Sequence, residues 1–499
     1  MKILRLEHKY WLLMIFLLVL AFRLFFVFQT EYFSQDSYFA IRQVDNILET
    51  GRPVFEDELS YSGRLNVFSP TYYYILAGFA LILGKYLALK LIPSLFVSLF
   101  VLVAYLIAKE LTNNTRVSLL IAFFAGFIPS FFLNLLNSVS PMTLFIPLMF
   151  FCIYLFMNIY KKFYIHIYVV AIFLLGILSP LSFLFVLGLI IFLLLMKLEY
   201  KQQNKLDLEL SLFSIFLVLW IQFLFYKKAF LFHGFGVVWQ NIPSGILSNY
   251  FQEVVVIDVL YAIGLIPLFF GIYTVYKYIL KEKNRQVYFI VAFVLSISLL
   301  LWLKLIQLNT GLVFLGAALI VLSAQSFKLF FSYFEKTKLS QFKIPLWILV
   351  IVVFFLTSMI ASVGWANATI EQVPDEEEMT TLIWMKHNMQ EEAVVLSPVS
   401  EGFLISGVAQ KKNVADNSFL LVKDAEVIFN DIHKMYTTKF ETHAIELLDK
   451  YDVKYIYFSS QAEEEYGIDE IAYVNDRCFP IVYKEDITIY QVRCHVKDD

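Results

Sequence analysis

What most constrains this chain is the recurrence of apolar runs of about 18–22 residues, each long enough to cross a hydrocarbon core of roughly 30 Å as a helix. They fall at residues 10–28, 90–108, 116–136, 141–160, 163–179, 181–197, 209–226, 255–279, 286–304, 309–332 and 344–364. No water is available in the core of a bilayer to satisfy backbone N–H and C=O groups, so runs of this kind must be helical. A further stretch, "TYYYILAGFALILG" at 71–84, suits an interfacial or re-entrant segment better than a span, because it is only about 14 residues long. The expected fold class is a polytopic α-helical membrane domain of about 11–12 spans, followed by a small extracytoplasmic α/β domain. Charged residues make up 16% of the chain, well below the roughly 25% of soluble domains. No basic stripe of the kind that binds nucleic acid is present.

Basic residues orient the spans, since short cytoplasmic loops carry excess Lys and Arg. The N-terminus "MKILRLEHK", Lys109 and Arg116, Lys161 and Lys162, "KLEYKQQNK", "KYILKEKNR" and the stretch from Lys328 to Lys343 all fall on one face if 71–84 does not cross. That places the N-terminus in the cytoplasm and the C-terminal segment outside. No small-residue cleavage site follows the first run, which reads as a retained anchor. Two loops, at about 29–89 and 227–254, are long enough to carry chemistry.

Near residue 370 the composition becomes polar, and residues 369–499 read as a separate domain following a membrane domain at 1–368. Acidic "PDEEE" opens a helix, "AVVLS" and "VKYIYFS" are strands, and "DAEVIFNDIHKMY" and "KFETHAIELLDKY" have helical spacing. Strands alternating with helices imply an α/β domain of about 130 residues. Cys478 and Cys494 flank a two-strand hairpin, where either a disulfide or two free thiols fit the spacing.

Just beyond the first span the chain reads "EYFSQDSYFAIRQVDNILETG". Tyr38, Ile41, Val44 and Leu48 share a helical face, Gly51 stops the helix, and Asp36 either caps it or faces a substrate at the membrane surface. Further on come the acidic triplet Glu56, Asp57 and Glu58 and the tyrosines Tyr72, Tyr73 and Tyr74. Tyrosines in this position fit an interfacial aromatic belt, and the triplet fits a solvated loop.

The order of these parts resembles the C-type (GT-C) integral-membrane glycosyltransferases, in particular the catalytic subunit of prokaryotic single-subunit oligosaccharyltransferase. The resemblance rests on "QDSYFAIRQVDNILETG", "DELSYSGRLNVFSPTYYYIL", "NIPSGILSNYFQEVVVIDVLYAIGLIPL" and "AVVLSPVSEGFLISGVAQKKNVADN". It implies transfer of a sugar or oligosaccharide from a polyprenyl-phosphate lipid donor to a protein, glycan or lipid acceptor on the external face of the cell membrane. It also implies Asp36 as the catalytic carboxylate. The family's Trp-Trp-Asp-Tyr-Gly acceptor motif corresponds to Pro398, Val399, Ser400, Glu401 and Gly402, so Ser400 and Glu401 are the expected acceptor contacts. Arg64 and Lys228 are the expected partners of the donor phosphate.

The family's second external loop binds a divalent cation through an Asp-x-Asp-like motif, so the resemblance implies Mg²⁺ or Mn²⁺. Here the loop reads "NLLNSVSPMTLF", with Asn137, Ser138 and Ser140 but no carboxylate, and no residue set is assigned to a metal. The late loop offers Gln240, Asn241 and Glu253 where the family has a glutamate. Lost carboxylates leave open a catalytically degenerate scaffold that binds lipid-linked glycan or a partner. A transporter or flippase would need charges within its spans, and only Arg23 and Asp258 stand out.

Overall fold

The computed structural model describes residues 2–199, 204–250, 255–337 and 341–496. The chain divides into two compact units. One comprises Met1–Glu31, Ser69–Phe225 and Phe251–Gln372, the other Tyr32–Phe68, Tyr226–Tyr250 and Val373–Asp499.

In chain order the helices of the first unit begin with α1 (Lys2–Val27). The second-unit helix α2 (Ser37–Thr50) comes next, and then α3 (Thr71–Leu83), α4 (Lys85–Thr112), α5 (Thr115–Gly126), α6 (Pro129–Leu135), α7 (Met142–Met157), α8 (Lys162–Leu178) and α9 (Ser182–Glu199). Beyond these lie α10 (Lys205–His233), α11 (Ser244–Tyr250), α12 (Val256–Ile263), α13 (Leu265–Leu280), α14 (Arg285–Trp302), α15 (Leu308–Glu335), α16 (Lys343–Phe354) and α17 (Ile360–Glu371). Among the described residues seven helical segments are long and apolar enough to cross a bilayer, or eight if a bent pair counts as one. The protein is an integral membrane protein. About 11–12 spans were expected, and the difference lies in helices such as α7 and α8, with 16 and 17 residues, just below or at the lower limit of the spanning range of roughly 17–25.

One expected span is broken. The run at 255–279 bends by 103° between α12 and α13. Gly264 makes the bend, with φ +90 and the Ser358 hydroxyl lying where a Cβ would go. The run expected at 116–136 forms one span, Thr115–Leu135, with a short irregularity between α5 and α6. The span expected at 209–226 instead continues as α10 to His233, because no breaker precedes Gly234, which has φ 56.

Lipid tails give little hydrophobic drive to helix association, so packing must come from close contact and polar ties. Phenylalanines supply much of that contact. Phe124 stacks on Phe354 at 3.8 Å between ring centroids, Phe156 on Phe289 at 4.4 Å and Phe270 on Phe327 at 4.4 Å. Tyr72 and Tyr73 are buried rather than belted at a lipid interface, and Tyr72 shares a hydrogen bond with Thr143 at 2.9 Å. Only Tyr74 is exposed.

Helices that end inside such a unit leave carbonyls without water, and buried cations meet two of these ends. The Arg23 guanidinium donates to Leu135 O, the last residue of α6, at 2.7 Å and lies 5.1 Å from the Phe132 ring centroid. Lys90 donates from Nζ to Val27 O, the end of α1, at 3.3 Å, to Thr30 O at 3.0 Å and to Asn137 Oδ1 at 2.8 Å. The charge in span one thus has a capping partner rather than a transport pathway.

The second unit is built on a five-stranded mixed sheet. Two short strands, β1 (Glu56–Asp57) and β2 (Arg64–Leu65), form a hairpin earlier in the chain. The main sheet has the order β4 (Lys412–Asn413), β3 (Val394–Leu396), β5 (Val453–Phe458), β7 (Thr488–Gln491), β6 (Ile481–Lys484). β3 is parallel to β4 and β5, which requires helical crossovers. They are supplied by the irregular helix α19 (Val399–Ala409) between β3 and β4, and by α20 (Ala425–Thr437) and α21 (Glu441–Lys450) between β4 and β5, while α18 (Glu376–Asn388) leads into β3. Asp375 caps α18 by accepting from Glu378 N at 2.7 Å. The closing strands are antiparallel, and Cys478 and Cys494 are disulfide-bonded. The core is formed by Val394, Leu396, Ile456, Phe458, Ile432 and Leu448.

The loop 32–68 folds as part of this unit. Gly51, with φ 77, ends α2 by donating to Ile47 O at 2.9 Å. The buried face of α2 is Tyr38, Ala40, Gln43, Val44 and Ile47, whereas Ile41 and Leu48 are only half-buried. The rotation follows from packing against the 405–409 turn, where Gly407 approaches the Tyr38 backbone. In the acidic triplet, Asp57 is buried and forms a paired bridge with Arg42, at 2.9 and 2.7 Å. It also accepts from Asn66 at 3.1 Å. Burial by itself would raise the Asp57 pKa, but Arg42 and these hydrogen bonds outweigh it and hold the carboxyl below the usual range.

Candidate active site

Ligands of open α/β sheets gather beyond the carboxyl ends of parallel strands, and in the second unit three segments converge there. They are 397–402 after β3, 414–418 after β4 and Ser459 after β5. The β1–β2 hairpin is clipped onto the second of them. Asn413 N donates to Leu59 O at 2.8 Å and Tyr61 N to Asn413 Oδ1 at 2.9 Å. The Tyr61 hydroxyl donates to Asp416 O at 2.6 Å.

Asp416 is the centre of this cluster, and sequence reasoning missed it. Fully buried, it accepts from Ser60 Oγ at 2.5 Å, Ser418 N at 3.0 Å, Asn413 Nδ2 at 3.4 Å and Arg64 Nη2 at 3.3 Å. Arg64 also donates to Ser418 O and lies over the Tyr61 ring. The expected phosphate ligand Arg64 is therefore committed to neutralising a buried aspartate, and its side chain is 4% exposed. The only signal in sequence was the proximity of "ADN" to a strand end, which does not reveal a partner some 350 residues away.

Asp36 lies beside this cluster. It precedes α2, but its side chain makes no capping bond and its backbone is already helical. The carboxylate instead accepts from Asn417 Nδ2 at 3.1 Å, and Asn417 directly follows Asp416. Asp36 is exposed, yet protein crowds the carboxylate, and that desolvation raises its pKa. The Asn417 amide opposes the rise and the Asp416 charge adds to it. An exposed carboxylate held by one neutral amide keeps lone pairs free for a ligand.

The positions matching the acceptor motif are disposed differently. Ser400 is half-buried and donates to Glu465 Oε2 at 3.0 Å. Glu401 turns inward, 2% exposed, and accepts from Ser459 Oγ at 2.7 Å. Gly402, the one motif residue retained, has a backbone reason: an added Cβ would collide with Ala415 O. Lys228 is exposed on α10. From the late loop, His233 Nε2 accepts from Leu421 N at 2.8 Å, while Asn241 Nδ2 donates to Phe419 O at 3.2 Å and Val422 O at 2.9 Å. Glu253 lies outside the described residues.

Glu401 has a second consequence. Burial raises its pKa well above the usual carboxylate range, and Glu378 on α18 adds to the rise. Burial and Asp375 push Glu378 itself up to about 7 from 4.5. A raised carboxyl pKa stabilises the folded state most below 4.5, and the contribution disappears as pH rises through about 7. Amide hydrogen exchange of β3 and β5 in the full chain is expected to show weaker protection at pH 8 than at pH 5.5, after correction for intrinsic rates. Glu378→Gln is expected to reduce that difference without removing it, because Glu401 stays buried and raised, and an unchanged pH dependence in the variant would refute the assignment.

The divalent cation implied by the resemblance fits poorly. Among the described residues no group of three His, Cys, Asp or Glu side chains is placed to hold a metal. Asp57 is saturated by Arg42, Asn66 and two backbone N–H groups. In the α6–α7 loop, Asn137 Oδ1 is engaged by the Lys90 ammonium.

The sequence matches no family model and no curated protein sequence. Solved structures resemble the fold throughout. The Archaeoglobus fulgidus oligosaccharyltransferase tethered to an acceptor peptide with an NVT sequon aligns with TM-score 0.69 and 16% identity, over 91% of this chain and 70% of that one. Archaeal AglB from the same organism, in complex with an inhibitory peptide and a dolichol-phosphate, aligns with TM-score 0.69 and 15% identity, over 90% and 69%. ArnT from Cupriavidus metallidurans bound to undecaprenyl phosphate aligns with TM-score 0.59 and 9% identity, over 97% and 98%. These neighbours are GT-C glycosyltransferases, and the fold expected from the sequence is the fold observed.

Proposed function

We propose that the protein is a membrane glycosyltransferase that moves a sugar or oligosaccharide from a polyprenyl-phosphate lipid to an acceptor at the external face. The carrying observation is Asp36: a carboxylate free of capping duty, exposed, raised in pKa and oriented by Asn417. Such a group can accept the acceptor's proton, or orient its nucleophile, as the bond from sugar to phosphate breaks. Arg64 acts at one remove, by holding Asp416 and the loop that carries Asn417. With Glu401 turned inward, the acceptor is a protein, a glycan or a lipid read by other contacts, with the half-buried Ser400 and the exposed Lys228 as candidates.

The test is release of label from radiolabelled polyprenyl-monophosphate and polyprenyl-diphosphate sugars by the purified chain in lipid nanodiscs. Transfer to any added peptide, glycan or lipid acceptor supports the reading. Retention of all label on the lipid, with tight lipid binding intact, would favour a binding scaffold instead.

A further inference from the structure

The second external loop of the fold raises a question that the proposed function leaves open: what cation, if any, serves there. Two independent observations bear on it, both from the first unit. The loop between α6 and α7 contributes Asn137, Ser138 and Ser140 but no carboxylate. Mg²⁺ and Mn²⁺ are hard ions that are ordinarily held through at least one carboxylate, with water or substrate oxygens completing the shell. The loop's amide oxygen, Asn137 Oδ1, is also already bonded to a cation. Lys90 reaches it at 2.8 Å while donating to Thr30 O at 3.0 Å and Val27 O at 3.3 Å. Three oxygens around one ammonium form the kind of shell a small hard cation would take. The Lys90 residue is 1% exposed, so this ammonium is a fixed part of the fold, unlike a surface lysine.

An ammonium and a divalent cation cannot share such a shell. Both are positive, and their mutual repulsion within a few ångströms is strong in a poorly solvated setting. Glu31, exposed just beyond Thr30, is an acidic group that acts on Lys90 electrostatically. It meets a cation that is already covalently present. The left-handed backbone at Asn137, φ 52, presents the side chain from a tight turn, so the amide is aimed by the chain rather than by a bound ion.

We infer that this chain has no divalent-metal site at its second external loop, and that the Lys90 ammonium, seated on Val27 O, Thr30 O and Asn137 Oδ1, is the cation serving there. This deepens the proposed function: a lipid phosphate arriving near the loop is attracted through space by a buried monovalent charge whose N–H donors are already engaged, and its binding does not depend on added metal. Lys90 is a positioning residue that joins the end of α1 to the α6–α7 loop while supplying that charge.

Two measurements on the full chain in neutral-lipid nanodiscs decide the inference. In the first, Mn²⁺ is titrated and followed by electron paramagnetic resonance. No saturable site below about 100 µM is expected, since a site short of carboxylates binds weakly. A saturable Mn²⁺ signal that disappears in Asn137→Ala would overturn the inference. In the second, binding of polyprenyl monophosphate is measured by native mass spectrometry with and without EDTA. Binding is expected to be unchanged by EDTA, weakened about tenfold or more in Lys90→Met and kept within about threefold in Lys90→Arg, which preserves the charge. Loss of binding in EDTA with recovery on adding Mn²⁺ would overturn it, as would undiminished binding by a folded Lys90→Met protein. Should Lys90→Met fail to fold, the Mn²⁺ titration and the EDTA comparison on the unaltered chain still distinguish a metal site from a built-in ammonium. Neither readout requires sugar transfer, so absence of any transferase activity would defeat the proposed function without touching this result.

Discussion

Asp36→Asn is expected to lower transfer from a polyprenyl-phosphate sugar by about 10²–10⁴-fold, the range for removing a positioned acid–base group, with little change in lipid binding or stability. The substitution keeps the size and the hydrogen-bonding edge of the side chain, so Asn417 retains a carbonyl oxygen to bond. Only the proton-accepting capacity disappears. Because Asp36 makes no side-chain capping bond to α2, the usual cost of losing a helix cap, about 1 kcal/mol, does not apply. The raised pKa adds a second readout. Transfer should fall with decreasing pH through a midpoint above the ordinary aspartate value of about 3.9, and that limb should be missing from the residual activity of the variant. Equal turnover by the two proteins would remove Asp36 from the chemistry.

Arg64→Leu is expected to destabilise the second unit by about 3–5 kcal/mol, the usual cost of breaking a buried pair by removing one partner. Asp416 would be left buried with Ser60, Asn413 and Ser418 N as donors but without its cation. The β1–β2 hairpin would also lose the contacts of Arg64 to Ser418 O and to the Tyr61 ring. Hydrogen exchange should show the loss at 412–418 and 56–65 first. Asp416→Asn in the same background should recover part of the stability, because it removes the stranded charge. If Arg64→Leu were as stable as the parent chain but failed to bind polyprenyl phosphate, Arg64 would be a phosphate ligand and its role here would be wrong.

Much of the membrane unit was legible in the sequence, because the bilayer leaves an apolar run few options other than a helix. What escaped was where helices stop. The bend at Gly264 and the run of α10 on to His233 depend on single residues inside or beside apolar runs, and hydropathy averages over them. Segments of the tail such as "AVVLS", "VKYIYFS" and "KFETHAIELLDKY" carry period and propensity strong enough to assign, and β3, β5 and α21 form there. Periodicity over Tyr38 to Leu48 identified α2 but not its inward face, since the surface that covers a short helix is chosen by its neighbours.

The candidate site divides along the same line. Asp36 could be singled out from its place after an apolar run, and its chemistry is a property of one residue type. Whether it would cap a helix or stay free depended on Asn417, 381 residues away. Arg64 and Glu401 looked equally available in sequence, yet one neutralises Asp416 and the other is buried against Ser459. Composition and order along the chain dictated a membrane bundle with a small α/β unit, because burial of apolar length and alternation of strands and helices are local demands. Which charges remain open to a substrate is not a local property. It follows from which distant oppositely charged or hydrogen-bonding group the folded backbone brings within about 3 Å, and only the tertiary structure decides that.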